Sequence, residues 1–294
     1  MRPQLMSPGG TITTTGLPRV PLLGPAIHSP RLALPVMLSV PHAGRAYPEW
    51  LVGESSGGRA SLEPLEDPLV DRLAWRALAR GFGTAIAQAP RAAIDCNRAE
   101  DDLDPLLIDG APPRLPGARR GLGLIPSHTA RHGALWRRKL SLAEVEARLD
   151  AVHRPYHRAL ADGLSQTERR FGAALLLDLH SMPPRPPGAA QIVLGDRHGT
   201  SAAPWLTAMA ARIVRERGFG VACNDPFAGG HIVERHGRPA AGIHAIQVEV
   251  DRSLYCQRDS RTPGPGFERV AVLFEALAVG LGEALADQAA IAAE

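Results

Sequence analysis

An α/β fold, with a mixed, largely parallel sheet flanked by helices, is the expectation for this 294-residue chain. Three observations carry it. Short continuous apolar runs, the mark of strands buried on both faces, alternate with longer stretches of helical spacing. The composition, 45% hydrophobic and 21% charged, supplies the core of a globular protein and argues against disorder over the whole length. No internal repeat is present that would call for a solenoid.

Taken in order, residues 1–30 form a flexible lead-in, and residues 31–294 a single domain. Val36-Met37-Leu38-Ser39-Val40 is a buried strand stopped by Pro41. A helix is expected over Pro68–Arg80, with Asp67 as N-cap, Pro68 at the first position and Gly81 closing the end. Thr84–Ala87 and Ala92–Asp95 read as strands, and Pro, Gly and Asp mark residues 100–128 as a long loop. Ser141-Leu142-Ala143-Glu144 is a capping-box pattern, followed by Val145, Leu149, Val152, Tyr156 and Leu160 at helical spacing, with Pro155 as a kink point. Ala174–Leu179, Ile192–Leu194 and Ile243–Val250 read as core strands. Between them runs a helix carrying Leu206, Met209 and Ile213. A last helix presents Val270, Leu273, Phe274, Leu277 and Leu281 on one stripe.

Charge and cysteine usage exclude several functions. The 33 basic and 30 acidic residues are spread along the chain, and Arg119-Arg120 and Arg137-Arg138-Lys139 read as solvated surface rather than a nucleic-acid patch. Cys96, Cys223 and Cys256 stand far apart without a Cys-x-x-Cys, so each reads as a small buried hydrophobe in a reducing cytoplasm. No stretch reaches the roughly 20 apolar residues of a membrane span. Oligomeric state leaves no mark on the pattern.

Chemistry gathers at three strand ends, where α/β sheets place their sites. His42 sits on a turn just past the Val36–Val40 strand. Asp178 and His180 share a strand face by period two, the relation of a carboxylate orienting a metal-binding imidazole. Glu249 lies inside an apolar strand, where an uncompensated carboxylate is costly. Each end alone has a plainer reading, a hydrogen-bonded histidine or an edge-strand glutamate. Together they supply two imidazoles and a carboxylate base, the parts of metal-assisted hydrolysis.

Six ordered motifs carry a resemblance: Pro41-His42-Ala43-Gly44, Asp95-Cys96-Asn97-Arg98, Pro155-Tyr156-His157, Asp178-Leu179-His180-Ser181, Phe227-Ala228-Gly229-Gly230 and Gln247-Val248-Glu249. From about Pro35 to Tyr255 the chain resembles the N-formylglutamate amidohydrolase family. That family is related in fold to zinc carboxypeptidases and aspartoacylases, which implies a zinc-carboxypeptidase-like (phosphorylase/hydrolase-like) sheet. The resemblance implies hydrolysis of N-formyl-L-glutamate to formate and L-glutamate, a last step in one route of histidine breakdown. It also implies one zinc ion as cofactor, with His42 and His180 as ligands. The third ligand comes from an acidic pair matched by Asp67, the first choice, and Asp71, the alternative. Their plainer roles are a helix cap and a surface charge. Glu249 matches the catalytic glutamate, and Asn97-Arg98 the pair that holds a substrate carboxylate, with Arg252 as a further substrate contact.

Several other polar groups stay outside this set. His231-Ile232-Val233-Glu234 has ligand spacing but is expected on a mobile loop closing over substrate. The pairs His128/His132 and His153/His157 lack the glutamate of a His-Glu-x-x-His motif, and Asp196-Arg197-His198 reads as a polar turn. The partner is then a small N-acyl amino acid, with no nucleic acid and no membrane. Two alternatives remain: the same chemistry on another N-acyl amino acid or small peptide, and a non-catalytic metal-binding protein on the same fold.

Overall fold

A computed structural model of the chain describes residues 20–113, 121–258 and 261–293. Seven strands form one sheet: β1 (Ala26–His28), β2 (Val36–Val40), β3 (Gly83–Ile86), β4 (Ala174–Met182), β5 (Ile192–Gly195), β6 (Val221–Cys223) and β7 (Ile243–Asp251). Their spatial order is β1-β3-β2-β4-β7-β5-β6. Neighbours run parallel except β1 against β3 and β5 against β7. The sheet is therefore mixed and mostly parallel, as expected.

The two central strands, β4 and β7, are each nine residues long and buried throughout. Leu175, Leu177 and Leu179 face one apolar layer, with Ile246, Val248 and Val250, under the helices Pro204–Glu216 and Phe267–Ala293. Ala174 and Leu176 face the other, with Ile243 and Ala245, under helix Arg154–Phe171. Burial on both faces is why these strands are continuous apolar runs. On the second face the pattern changes toward the carboxyl ends. Asp178 and His180 continue the row of Ala174 and Leu176, and Gln247 and Glu249 continue that of Ile243 and Ala245. Register sets His180 beside Glu249 and Asp178 beside Gln247.

Four expectations need correction. Residues 26–28, expected in the lead-in, pair with β3 as the sheet's edge; residues 1–19 lie outside the described set. Ala92–Asp95 is no strand. Ala93 N–H bonds the Pro90 carbonyl in a tight turn, and Asp95 N–H bonds the Leu124 carbonyl at 2.7 Å. The helix expected over Pro68–Arg80 starts only at Val70, because Leu69 takes a left-handed backbone at φ 64°, and a turn at Ala74 divides it into two short ones, Val70–Leu73 and Trp75–Arg80. Asp67 therefore does not cap it; its N–H bonds the His42 carbonyl at 2.9 Å instead. Cys223 is exposed, whereas Cys96 and Cys256 are buried.

Other elements stand as read. Ser141 Oγ accepts from Glu144 N–H while Ser141 N–H donates to the Glu144 carboxylate, the reciprocal capping box. Before Pro155 the helix widens to an i→i+5 bond from Arg154 N–H to the Leu149 carbonyl, which absorbs the proline's disruption. Among its described residues the long loop at 100–128 carries no helix or strand before the short His128–Thr129 strand; residues 114–120, with Arg119-Arg120, lie outside the described set. No described helix is long and apolar enough to cross a membrane.

Candidate metal centre and substrate cavity

The carboxyl ends of β2, β4 and β7 open into a cavity of ≈ 930 Å³. At its floor three buried side chains meet. His42 Nδ1 lies 3.2 Å from His180 Nδ1, and Asp67 Oδ2 lies 3.3 Å from the first and 3.1 Å from the second. Each arrives on a different segment: the turn after β2, the link before helix Val70–Leu73, and β4 itself. A Cβ at Gly44 would collide with the Ala89 carbonyl, so glycine there lets the His42 turn close onto the 87–98 segment.

That segment brings Asp95, whose Oδ1 lies 2.7 Å from His42 Nε2. Asp178 Oδ2 lies 2.8 Å from His180 Nε2 in the same way. A carboxylate only accepts, so each Nε2 carries a proton and each Nδ1 is turned inward, where it offers a lone pair to a cation once any proton shared with Asp67 has left. Behind Asp178 the bracing continues: Ser39 Oγ donates to Asp178 Oδ1 at 2.7 Å, and Tyr156 Oη lies 2.8 Å from Ser39 Oγ. Asp67 Oδ1 accepts from Arg252 Nη2 at 2.9 Å, which leaves Oδ2 for the centre.

Electrostatics match this geometry. Burial disfavours charge on Asp67, but hydrogen bonds from His180 and His42 hold its carboxyl well below the usual range. Asp95 is likewise held low against burial by Arg91 and His42. Burial opposes charge on His180, yet Asp178 and Asp67 push it well above the usual imidazole range. Glu249 is raised, chiefly by burial and partly by Asp67, against the opposing pull of His180. Gln247 Nε2 donates to Glu249 Oε1 at 2.8 Å.

The donor set fits a small divalent cation. Zinc bonds of about 2.0–2.1 Å at tetrahedral angles separate neighbouring ligands by about 3.3 Å, close to the spacings found. His42, Asp67 and His180 are the one such group of three among the described residues. Asp71 stands apart: both its carboxylate oxygens accept from Arg45, at 2.9 and 2.7 Å. It forms a surface ion pair with Arg45 and is not among the three convergent groups.

Arg98 lines the cavity with only loose partners among the described residues, Asp95 at 3.9 Å and Asp102 at 3.7 Å. Asn97 also lines it, but its amide is largely committed: Oδ1 accepts from Ile232 N–H at 2.8 Å, and Nδ2 reaches Gln247 Oε1 at 3.4 Å. A Cβ at Gly230 would collide with that amide, which explains the glycine. Arg252 lines the cavity while bonding Ser181 Oγ, the Glu66 carbonyl and Asp67.

Sequence reasoning missed Arg91. Its Nε donates to Asp95 Oδ2 at 2.8 Å, and no acceptor among the described residues meets its Nη atoms. Burial lowers its pKa, but Asp95 and Asp67 outweigh this and raise it, so the cation is held in the cavity wall. The density of charge over Arg91, Asp95 and Arg98 was the available signal. His231 lines the cavity at the start of a short helix, His231–His236, rather than on a loop, and is not among the three convergent groups. His128 reaches the cavity from a small hairpin, paired with no metal site. Asp196-Arg197-His198 is a turn, with Arg197 paired to Glu234 at 2.6 Å beside the opening.

Comparison with known proteins gives a consistent result. The model of the N-formylglutamate amidohydrolase family matches residues 34–256. N-formylglutamate deformylase of Pseudomonas putida is 31% identical over 232 residues, 76% of this chain and 82% of that protein. The Pseudomonas aeruginosa protein of that name is 31% identical over 231 residues, with the same coverage. The crystal structure of N-formylglutamate amidohydrolase from Ralstonia eutropha superposes with a TM-score of 0.82 at 35% identity, covering 91% of this chain and all of that one. A protein from Agrobacterium tumefaciens shares the fold, with a TM-score of 0.61 at 18% identity over 89% of this chain and 96% of its own. With three quarters of its length matched by the family model and a fold shared along its whole core, this chain belongs to the N-formylglutamate amidohydrolase family.

Proposed function

We propose that the protein hydrolyses N-formyl-L-glutamate to formate and L-glutamate, using one divalent metal ion, zinc, held by His42, Asp67 and His180. The observation that carries this is their convergence at 3.1–3.3 Å beside Glu249, on the floor of a cavity walled by Arg91, Arg98 and Arg252. Bound there, zinc would supply Lewis acidity to the formyl carbonyl and to water.

The chain's own residues do the rest. Glu249, raised by burial, is suited to take a proton from the water that attacks the formyl carbon. As the C–N bond breaks, the same carboxyl returns that proton to the leaving nitrogen, so formate and a free amino group result. Asp95 and Asp178 keep both imidazoles in one tautomer throughout. Arg98, without a close partner among the described residues, takes a substrate carboxylate through its planar fork. Arg252 holds Asp67 and closes the wall beside it. The cytoplasm is the setting that cysteine usage suggests, and the last step of one route of histidine breakdown the place that the family resemblance implies.

Cavity size favours a second reading. A volume of ≈ 930 Å³ lies near the top of the about 300–1,000 Å³ range of small-molecule pockets, so a longer N-acyl amino acid or a short peptide also fits. One experiment addresses both: metal analysis of the purified protein together with turnover over a panel of N-acyl amino acids. One zinc per chain and fastest formate release from N-formylglutamate are expected. Absence of bound metal, or faster cleavage of a larger acyl substrate, overturns the corresponding half.

A further inference from the structure

Tyr156 braces Asp178 through Ser39; its neighbour His157 takes no part in the chemistry above, yet is almost wholly buried in helix Arg154–Phe171. Both its ring nitrogens are spent, on two different segments. Nε2 lies 2.9 Å from the Cys96 carbonyl oxygen. A carbonyl only accepts, so Nε2 carries the proton and Nδ1 keeps a lone pair. That lone pair meets His236 Nε2 at 2.9 Å, which makes His236 the donor. One turn earlier, His153 Nε2 donates to the Arg98 carbonyl at 2.8 Å. The carbonyls on either side of Asn97 are thus pinned by two histidines of one helical face.

The short helix His231–His236 is fastened to the same assembly at both ends. Its first turn donates Ile232 N–H to Asn97 Oδ1, and its last residue donates to His157. The rings of His157 and His236 lie edge to edge and nearly coplanar across that bond, 5.2 Å between centroids and 14° between planes. Burial, reinforced by His153 and His236, holds His157 well below the usual imidazole range, so it remains neutral. His236 is pushed down to about 4, chiefly by burial and then by Arg235.

We propose that His157 is a positioning residue for substrate recognition, joining the Cys96–Arg98 backbone and the His231–His236 helix into one unit that sets Arg98 and His231 in the cavity wall. This rests on the reading of Arg98 as a carboxylate ligand. No atom of His157 touches the three convergent donors, so its loss is expected in substrate binding rather than in metal content or chemistry.

The test compares His157→Phe, which keeps a ring but removes both bonds, with His157→Gln, which keeps an amide donor at the ε position. Phenylalanine should raise KM for N-formylglutamate roughly 10-fold or more, since small misplacements of positioning groups are expensive. Metal content should be unchanged and kcat should move less than KM. Inhibition by L-glutamate should weaken in parallel, and glutamine should recover much of the loss. A KM within twofold of wild type, a fall confined to kcat, or glutamine no better than phenylalanine would overturn the proposal. His236→Phe, which removes only the helix-side bond, serves if His157→Phe does not fold; an unchanged KM there is equally fatal. Hydrogen exchange at the Ile232 amide gives a readout independent of substrate. It should quicken in both phenylalanine variants, and unchanged protection would refute the coupling. Wild-type protein that releases no formate would instead sink the proposed function while leaving this exchange result to judge the coupling.

Discussion

Asp95→Asn is the perturbation whose consequence is worked most directly from the structure. Asp95 is fully buried and serves three donors: His42 Nε2 at 2.7 Å and Asn97 N–H at 2.8 Å on Oδ1, and Arg91 Nε at 2.8 Å on Oδ2. Asparagine has the same shape but one acceptor oxygen. With that oxygen toward His42, its NH₂ faces the Arg91 N–H, donor against donor. With the amide reversed, the NH₂ faces His42 Nε2 and forces the proton onto Nδ1, the atom needed at the metal centre. Loss of a carboxylate behind a metal-bound histidine costs about 10–100-fold in affinity, or about 1.4–2.7 kcal/mol. In the first orientation the stranded Arg91 donor also costs about 1–3 kcal/mol of stability. Zinc affinity by chelator competition should fall by that factor, and thermal unfolding of the metal-free protein should come at lower temperature. Zinc affinity within twofold of wild type would refute the tautomer argument.

The remaining predictions separate base, carboxylate ligand and bystander. Glu249→Gln should keep the metal, because a glutamine oxygen can still accept from Gln247, but lose about 10²–10⁴-fold in kcat; near wild-type turnover would leave Glu249 structural. Arg98→Ala should raise KM by an amount worth about 2–5 kcal/mol, and Arg98→Lys should rescue it poorly for want of a paired fork. Preference for N-formylglutamate over an analogue with one carboxylate blocked as an amide should shrink in Arg98→Ala; if it does not, Arg91 and Arg252 become the carboxylate readers. Asp71→Asn should leave zinc content untouched and cost no more than about 1 kcal/mol in stability, since it breaks only a half-exposed pair with Arg45.

The strands that hold the site were legible because a strand buried on both faces cannot hide its apolar run, and β2, β4, β5 and β7 all obey that rule. The edge strand Ala26–His28 was not, because it is three residues long and only half covered. The late start of the Pro68–Arg80 helix, at Val70, was invisible for a different reason. A left-handed backbone is normally announced by glycine or asparagine, and here Leu69 adopts it, held by packing that appears only in the fold. Of the acidic pair, Asp67, the first choice, is turned to the histidines, and Asp71, the alternative, to Arg45.

The site was legible where its partners are close in sequence and hidden where they are not. Asp178 and His180 are two residues apart on one strand, so period two alone pairs them. Asp95 performs the same service for His42 across 53 residues, and Arg252 for Asp67 across 185, separations that no local pattern encodes. The carboxylates behind the two histidines thus have one function and opposite visibility. This asymmetry follows from the sheet. β4 carries ligand and brace together because its last residues continue one face beyond the apolar core. β2 ends before its histidine, so the brace must come from another segment, the turn after β3. Gly44, by admitting the Ala89 carbonyl where a side chain would stand, is what allows that turn to approach. A glycine two residues after a strand-end histidine is then a steric requirement of the brace, and it links a readable motif to a partner the sequence does not place.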